Sequence, residues 1–206
     1  MTIDKIMLFV DGPTEQGAFE NKFRMMYNGK SPRFAINPGN GLYYPINTFA
    51  RLIAPNIIVA LKSSFRCIMV VTDLEKREKK FKISCNDLEV NIKQSIINEI
   101  IKTSSFKQEY LNEVIYVCAS NIMFENWIVC DLENIKSSKL IKDGVAQDFY
   151  DGQNGSSLLK GMMTCPYKKT VHAKMLFKKV RDDVGRSYSP SYSNFMTSIE
   201  KILNPN

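Results

Sequence analysis

The chain has 206 residues, a length typical of one domain with a sizeable core, and we predict a single domain over residues 1–206. Its apolar runs are far shorter than the roughly 20 residues that a membrane-spanning helix needs. A net charge of +7 favours polyanionic partners, nucleic acid first. One histidine and five irregularly spaced cysteines exclude a His-rich metal site and a paired-cysteine zinc or redox motif.

The N-terminal segment predicts a buried strand followed by a helix. Residues 5–10 are continuously apolar and end at an Asp-Gly-Pro turn, which is typical of a strand in a parallel sheet. A helix over residues 14–27 follows, with Phe19, Phe23 and Met26 on one stripe. Because the strand begins so early, no signal peptide is indicated, and we expect a cytoplasmic protein that is not bound to a membrane.

The next segment predicts a strand at 33–36, a helix at 45–62 and a strand at 66–72. Pro55 lies inside this helix and should kink or divide it. Further along, the pattern predicts a helix at 87–101, a strand at 113–118 and a helix at 122–132. A polar loop at 143–157 and closing helices at 170–184 and 191–203 follow.

This alternation of strands and helices predicts an α/β fold with a mostly parallel sheet of about four strands and helices on both faces. We place the core at about 4–135 and a C-terminal helical extension at about 143–206.

Acidic residues follow three of the predicted strands. Asp11 and Glu15 follow the first, Asp73 and Glu75 the third, and Glu125 comes shortly after the fourth. Ligands of open α/β sheets bind beyond the carboxyl ends of the strands, so these acids should converge on one cleft. A carboxylate cluster suits a hard cation such as Mg²⁺ or Mn²⁺. The pattern therefore predicts a metal-dependent phosphoryl-transfer site.

The spacing within the cluster carries part of this prediction. On an extended strand, Asp73 and Glu75 would point to the same side and could reach one ion. Each acid has a simpler interpretation when taken alone. An Asp-Gly pair after a strand is more often a turn and helix cap, and Glu125 beside Trp127 is more often a surface acid over a packed ring.

The same residues resemble the Toprim-like domain. An acid-Gly-x-Thr-Glu turn after the first strand, an Asp-x-acid pair after a later strand and a Phe-Glu-x-Trp helix are similar to small stand-alone Toprim-like proteins, a domain of unknown function. Those proteins are similar to the nuclease domain of overcoming-lysogenization-defect nucleases and are often encoded beside ATPases. The resemblance covers roughly residues 4–135, and the stretch 167–174 is similar to that family's tail more faintly.

The resemblance implies catalytic and metal-binding roles for Asp11, Asp73, Glu75 and Glu125. Asp11 stands where Toprim domains normally have glutamate, and Glu75 where they have aspartate. Each exchange moves a carboxylate by about 1.5 Å, enough to misplace a ligand. The two changes have opposite sense, so they could compensate or could mark a lost activity, and Glu15 could substitute for Asp11 in catalysis.

Two basic stretches are candidates for nucleic-acid binding, with solvated helix faces as the alternative. The first follows the third strand directly, beside the predicted carboxylate cluster. The candidate residues are Lys76, Arg77, Lys79, Lys80, Lys168, Lys169, Lys174 and Lys178.

Three other features favour structural roles. His172 lies between basic residues and is expected at the surface rather than in catalysis. Tyr188 and Tyr192 could stack a base in a loop, although a turn between helices is the preferred interpretation. Cys67 and Cys118 lie within apolar runs and are expected in the core.

Three functions remain open from the sequence. The first is a Mg²⁺- or Mn²⁺-dependent nuclease or nuclease subunit acting on DNA or RNA, the effector partner of an ATPase in a bacterial anti-phage defence or DNA-processing system, with self-association as a further possibility. The second is a catalytically weakened interaction module that binds and regulates such an ATPase. The third is a phosphoryl-transfer enzyme acting on a small molecule, which the basic charge disfavours.

Overall fold

A computed structural model describes residues 1–39, 44–75, 83–148 and 151–204. The first basic stretch, with the candidates Lys76, Arg77, Lys79 and Lys80, lies outside these described residues. None of the described helices has the length and apolar character needed to cross a membrane.

The centre of the fold is a sheet of parallel strands, as predicted. The strands are β1 (Ile6–Val10), β2 (Arg33–Ile36), β3 (Cys67–Asp73) and β4 (Ile115–Ser120). They lie in the order β2-β1-β3-β4, and every neighbouring pair is parallel. The chain adds β2 on one side of β1 and then crosses to add β3 on the other. The sheet therefore has its topological switch point between β1 and β3, where open α/β sheets bind ligands.

Helices cover both faces of the sheet. In chain order they are α1 (Pro13–Met26), α2 (Ile46–Lys62), α3 (Cys85–Thr103), α4 (Gln108–Val114), α5 (Glu125–Val129), α6 (Leu132–Lys136), α7 (Gly155–Met162), α8 (Lys169–Phe177), α9 (Asp182–Tyr188) and α10 (Pro190–Leu203). A short 3₁₀ helix, Ile3–Lys5, precedes β1.

The sheet separates two apolar cores. On one face, α2, α3 and α4 bury residues such as Ile53 and Ile96 against Ile68 and Val70 of β3. On the other face, α1, α5, α8 and α10 pack against alternate residues of the same strands, including Met69. Because β3 is covered on both sides, its sequence is apolar over most of its length, which is typical of a central parallel strand.

The C-terminal helices share the second core. Phe177 of α8 and Phe195 of α10 lie with ring centroids 5.3 and 5.2 Å from Phe19 of α1. Trp127 of α5 stacks on Phe195 at 5.0 Å and is fully buried. The extension after residue 143 thus packs directly on the helices that flank the strand ends.

Several element boundaries differ from the sequence prediction. Pro55 does not divide α2, which continues as one helix over Ile46–Lys62. The helix predicted at 122–132 is two short helices, α5 and α6, and the one predicted at 170–184 ends at Phe177 before α9 begins. The predicted loop at 143–157 ends earlier, because Asn154 caps α7 by accepting from the Ser157 N–H.

The edge strand β4 is covered by a carboxylate from α3. Glu89 Oε1 accepts a 2.8 Å hydrogen bond from the Ala119 N–H. Burial raises the pKa of Glu89 to about 7, although the hydrogen bond from Ala119 lowers part of that shift. In the folded state Glu89 therefore keeps its proton to a higher pH than it does in the unfolded chain.

We expect this group to make stability depend on pH. Its contribution is fully present below the unfolded pKa of 4.5 and is lost as pH rises toward 7, since the charged form is disfavoured by burial. Glu89→Gln should remove this loss. The stability gained by the variant over wild type should be larger at about pH 8 than at about pH 4.5, by on the order of 1–2 kcal/mol in the free energy of unfolding. Urea denaturation at both pH values measures this. The matched variant Glu109→Gln, on an exposed side chain, should change nothing.

Candidate functional site

The carboxyl ends of the strands carry polar side chains that bond to one another. Asp11 follows β1, Asn37 follows β2, and Asp73 and Ser120 are the last residues of β3 and β4. Asn37 Nδ2 donates to Asp11 Oδ1 at 2.7 Å, and Ser120 Oγ donates to Asp73 Oδ1 at 2.5 Å. The predicted convergence of Asp11 and Asp73 at one edge is therefore what the structure has.

Asp11 lies in surroundings that stabilise its anion. Besides the Asn37 amide, Thr72 Oγ1 donates to Asp11 Oδ2 at 2.9 Å, and the backbone N–H of Asp73 donates to the same oxygen at 2.9 Å. Asn37 also donates to the Val71 carbonyl, at 2.8 Å. Hydrogen bonds to a carboxylate favour its charged form. Asp11 thus has three donors that hold both of its oxygens in place.

Asp73 lies in the opposite kind of surroundings. It is buried, and its Oδ1 accepts from Ser120 Oγ and, at 2.8 Å, from the Phe124 N–H. Burial raises the pKa of Asp73 well above its ordinary value, and the negative charge of Asp11 raises it further, while the Ser120 hydrogen bond opposes the shift. Asp73 therefore favours its protonated form beside the charge of Asp11.

Two further carboxylates enter the site from helices. Glu15 lies in the first turn of α1, and Glu125 is the first residue of α5; both are buried. Lys169, the first residue of α8, places its Nζ 2.7 Å from Glu15 Oε1 and 3.5 Å from Glu125 Oε1. A lysine of the C-terminal extension therefore bridges two of the predicted catalytic acids.

The charges of this cluster influence one another. Burial lowers the pKa of Lys169, but the carboxylates of Glu125 and Glu15 outweigh burial and raise the pKa above its ordinary value. Lys169 in turn lowers the pKa of Asp73, and Glu15 raises it. Lys169 therefore keeps its positive charge while it lies beside these carboxylates.

Tyr167 and Gly12 complete the surroundings of the two glutamates. Tyr167 OH donates to Glu125 Oε1 at 3.3 Å, and burial together with the Glu125 charge raises the pKa of the phenol. A Cβ at Gly12 would lie 3.0 Å from Glu15 Oε2, so the absence of a side chain at residue 12 leaves room for the glutamate to fold back over the start of α1.

Glu75 does not follow the geometry that the sequence predicted. β3 ends at Asp73, and Glu75 has a φ of +35°. The backbone N–H of Glu75 donates to the Ile122 carbonyl at 2.5 Å. The alternation of an extended strand therefore stops before Glu75, and the argument that Asp73 and Glu75 share one face of a strand is wrong.

The donor chemistry suits a hard divalent cation, although the side chains are not arranged as a closed cage. Among residues 1–39, 44–75, 83–148 and 151–204, no three acidic, histidine or cysteine side chains converge closely enough to hold an ion as they stand. The cluster does supply carboxylate oxygens, and the buried Asn37 Oδ1 beside it lacks a partner in the described chain. The residues therefore fit Mg²⁺ or Mn²⁺ in chemistry, and Lys169 supplies the positive charge that Glu15 and Glu125 require.

The other predicted lysines lie along α8. Lys168 precedes its first residue, Lys178 is exposed at its end, and Lys174 crosses α1 so closely that a Cβ at Gly17 would lie 2.4 Å from its Cε. Lys169, predicted with them as a phosphate contact, has carboxylate partners instead. These lysines place positive charge on the helix that begins at the acidic cluster.

The expectation that His172 lies at the surface is wrong. His172 is buried, and its Nδ1 accepts from the Lys168 N–H at 2.9 Å. That bond places the proton of the neutral ring on Nε2, 4.0 Å from Cys165 Sγ, so Nε2 is not a base for the thiol. Tyr192 is fully buried in α10 against Trp127 and is not available to stack a base.

Sequence reasoning missed the neutral members of the site. Asn37 and Ser120 stand immediately at the ends of β2 and β4, a position that could have identified them. Tyr167 was not identified, and Lys169 was predicted as a phosphate contact rather than as a partner of the acids, since nothing local in the sequence places the start of α8 beside α1 and α5.

No protein-family model matches the chain, and comparisons with curated proteins and with solved structures also found no match.

The position of Glu125 depends on close packing at Gly155. A Cβ at Gly155, the first residue of α7, would lie 2.5 Å from the backbone of both Glu125 and Asn126. We expect Gly155→Ala to destabilise the fold by about 2–4 kcal/mol, because the backbone cannot yield as a flexible side chain would.

The same helix supplies the control. A Cβ at Gly161 would meet nothing within 4 Å, so Gly161→Ala should be neutral or stabilising by up to about 1 kcal/mol. Urea denaturation of both variants measures the difference. Equal stability of the two would contradict the close packing of α7 on α5.

Proposed function

We propose that this protein is a Toprim-like, divalent-metal-dependent nuclease or nuclease subunit that acts on nucleic acid. The observation that carries the proposal is the gathering of Asp11, Asp73, Glu15 and Glu125 around the switch point of a parallel sheet. Carboxylates in this position are what phosphodiester hydrolysis requires to hold a divalent cation. The resemblance to Toprim-like domains supports the same activity.

Asp73, Asp11, Glu15 and Glu125 would hold the ion, with Glu75 as the remaining candidate from the sequence. When bound, Mg²⁺ or Mn²⁺ supplies charge for polarising a phosphoryl group and for activating water. The chain supplies the orientation of the ligands. Ser120 and the Phe124 N–H fix one oxygen of Asp73, and three donors fix Asp11.

The neighbouring carboxyls Asp11 and Asp73 suit different parts of acid–base chemistry. Three donors hold the oxygens of Asp11, whereas burial and the Asp11 charge favour a proton on Asp73. Two neighbouring carboxyl groups whose surroundings differ in this way are typical of sites that move protons. Asp73 must release its proton before it can bind a cation, so proton release should accompany metal binding.

The distribution of positive charge supports nucleic acid as the substrate. Helix α8 begins within the acidic cluster at Lys169 and carries Lys174 and Lys178 away from it. A phosphate backbone that reached the carboxylates could extend along these lysines. A small phosphorylated molecule would have no use for charge so far from the cluster.

A companion ATPase is part of the proposal. The sequence contains no phosphate-binding Gly-x-x-x-x-Gly-Lys loop, so ATP hydrolysis would have to come from a partner. The family resemblance implies such a partner, in a bacterial anti-phage defence or DNA-processing system.

One observation favours the second candidate function, an interaction module that regulates the ATPase. Both oxygens of Asp11 are held by internal donors, and Lys169 already neutralises part of the charge on Glu15 and Glu125. The site is therefore compensated without a metal, as a site that has lost catalysis would be.

Cleavage assays distinguish the two functions. Purified protein is incubated with plasmid, linear duplex, single-stranded DNA and RNA plus Mg²⁺ or Mn²⁺, with and without the product of the neighbouring gene. We expect cleavage that Asp73→Asn lowers by about 100-fold or more, because an amide is a poor metal ligand. The amide can still accept from Ser120 and Phe124, so the fold should survive.

Asp143→Asn, on an exposed carboxylate, is the matched control and should cleave normally. Equal cleavage by the Asp73 and Asp143 variants would remove the active-site assignment. An absence of cleavage with every substrate, together with stable binding to the ATPase, would favour the interaction module.

Metal binding should depend on pH through Asp73. Because the pKa of Asp73 is raised, the proton competes with the cation, and Mn²⁺ affinity should increase as pH rises from about 5.5 to about 8. Calorimetry in buffers of different ionisation enthalpy measures both the affinity and the proton released. The dependence should disappear in Asp73→Asn, and an identical pH dependence in that variant would contradict the assignment.

A further inference from the structure

Lys169 occupies the place in the cluster where a cation is required. Its Nζ is 2.7 Å from Glu15 Oε1 and 3.5 Å from Glu125 Oε1, and these glutamates are buried. A divalent ion bound to the same oxygens would lie about 2.0–2.6 Å from them. The ammonium group and the ion would then be near neighbours of like charge in a poorly solvated site.

Such an arrangement is strongly unfavourable. Two positive charges about 4 Å apart repel by roughly 1 kcal/mol per unit-charge pair in water and several times more near a protein interior, and a divalent ion doubles the effect. The glutamate oxygens cannot serve both cations at full strength. One cation must therefore leave for the other to bind.

The lysine is placed so that it can leave. It is the first residue of α8, its side chain is 42% exposed, and the preceding residue Lys168 makes no side-chain cap to the helix. The glutamates are fixed by contrast, since Glu125 lies at a backbone contact with Gly155 and Glu15 is held in the first turn of α1. The cation is thus the exposed partner of the ion pair, and the carboxylates are the buried ones.

We infer that Lys169 is an exchangeable counter-ion: it neutralises Glu15 and Glu125 in the metal-free protein, and divalent metal must displace it to use these carboxylates. This deepens the proposed function and rests on its metal site. The exchange sets the metal affinity of the site. It also turns the Lys169 ammonium away from the two glutamates and toward solvent only when the ion is present. The metal-loaded site would then offer that ammonium to a phosphate group.

The first test compares Mn²⁺ binding to Lys169→Met and Lys136→Met by calorimetry. Lys136 pairs with Glu133 at 3.0 Å on α6, so its variant removes the same charge and an ion pair at another place. We expect the Lys169 variant to bind Mn²⁺ roughly tenfold or more tightly than wild type, because the competing cation is gone. The Lys136 variant should bind as wild type does. Equal affinity in all three proteins, or weaker binding by the Lys169 variant, would overturn the exchange.

The stability of the same variants gives a readout that needs no activity. Without metal, Lys169→Met leaves Glu15 and Glu125 buried without their cation, so its midpoint of thermal unfolding should fall. Saturating Mn²⁺ should restore that midpoint more than it raises that of wild type. An equal rise in both proteins contradicts the inference.

A second measurement uses unaltered protein and applies even where the Lys169 variant does not fold. Wild type is treated with an amine-acylating reagent with and without Mn²⁺, and the modified lysines are located by mass spectrometry. Lys169 should become more reactive when Mn²⁺ is bound, while Lys136 should not change. Unchanged Lys169 reactivity at a Mn²⁺ concentration that saturates the calorimetric signal would overturn the exchange.

The outcomes separate this inference from the proposed nuclease. Binding of Mn²⁺ without any effect of Lys169 defeats the exchange alone and leaves the metal site in place. Binding with the expected Lys169 effects, but no cleavage of any substrate, supports the exchange while the nuclease proposal fails. No Mn²⁺ binding by wild type or by Lys169→Met defeats both.

Discussion

Neutralising buried carboxylates is the constraint on which the arrangement of this protein depends. Glu125 is 1% exposed and Glu15 is 7% exposed. Burying either carboxylate as an isolated anion would cost several kcal/mol. Lys169 supplies the compensating charge from a helix far along the chain. The C-terminal helices are therefore part of the site, because without α8 the acids of α1 and α5 would lack their counter-ion.

Aromatic packing holds these three helices in register. Phe19 lies one helical turn after Glu15, Phe124 immediately precedes Glu125, and Phe177 ends the helix that Lys169 begins. The ring centroid of Phe177 is 5.3 Å from that of Phe19 and 4.8 Å from that of Phe124. Since rings packed this closely permit little sliding, the apolar core fixes the distances among the charged groups.

The two strand-end aspartates show how neighbouring identical groups acquire different properties. Asp11 gains three donors because Asn37, which follows β2, and Thr72 and Asp73 at the end of β3 direct two side chains and a backbone N–H toward it. Asp73 is buried more deeply and stays beside the charge of Asp11. A site with one stable anion and one carboxyl that favours its proton can respond to a cation by releasing that proton.

The sequence by itself determined the sheet and the positions of its acids. Apolar runs predicted the four strands to within about two residues. The signal is strongest in β3, because a parallel strand covered on both faces is apolar at nearly every residue. The predicted placement of Asp11 and Asp73 followed from the same rule, since parallel strands bring their carboxyl ends to one edge. The burial of Cys67 and Cys118 was also predicted correctly from their apolar surroundings.

Tertiary structure decided what lies around those acids. Nothing within a few residues of Lys169 indicates that it enters an acidic cluster, because its partners Glu15 and Glu125 lie on α1 and α5. His172 lies between basic residues in the sequence, yet it is buried in the folded chain. Glu75 does not share a strand face with Asp73, because β3 ends at Asp73 and the backbone N–H of Glu75 bonds to the Ile122 carbonyl. Local periodicity records which side of an element is apolar, whereas the partner of a charge is set by packing across the whole chain.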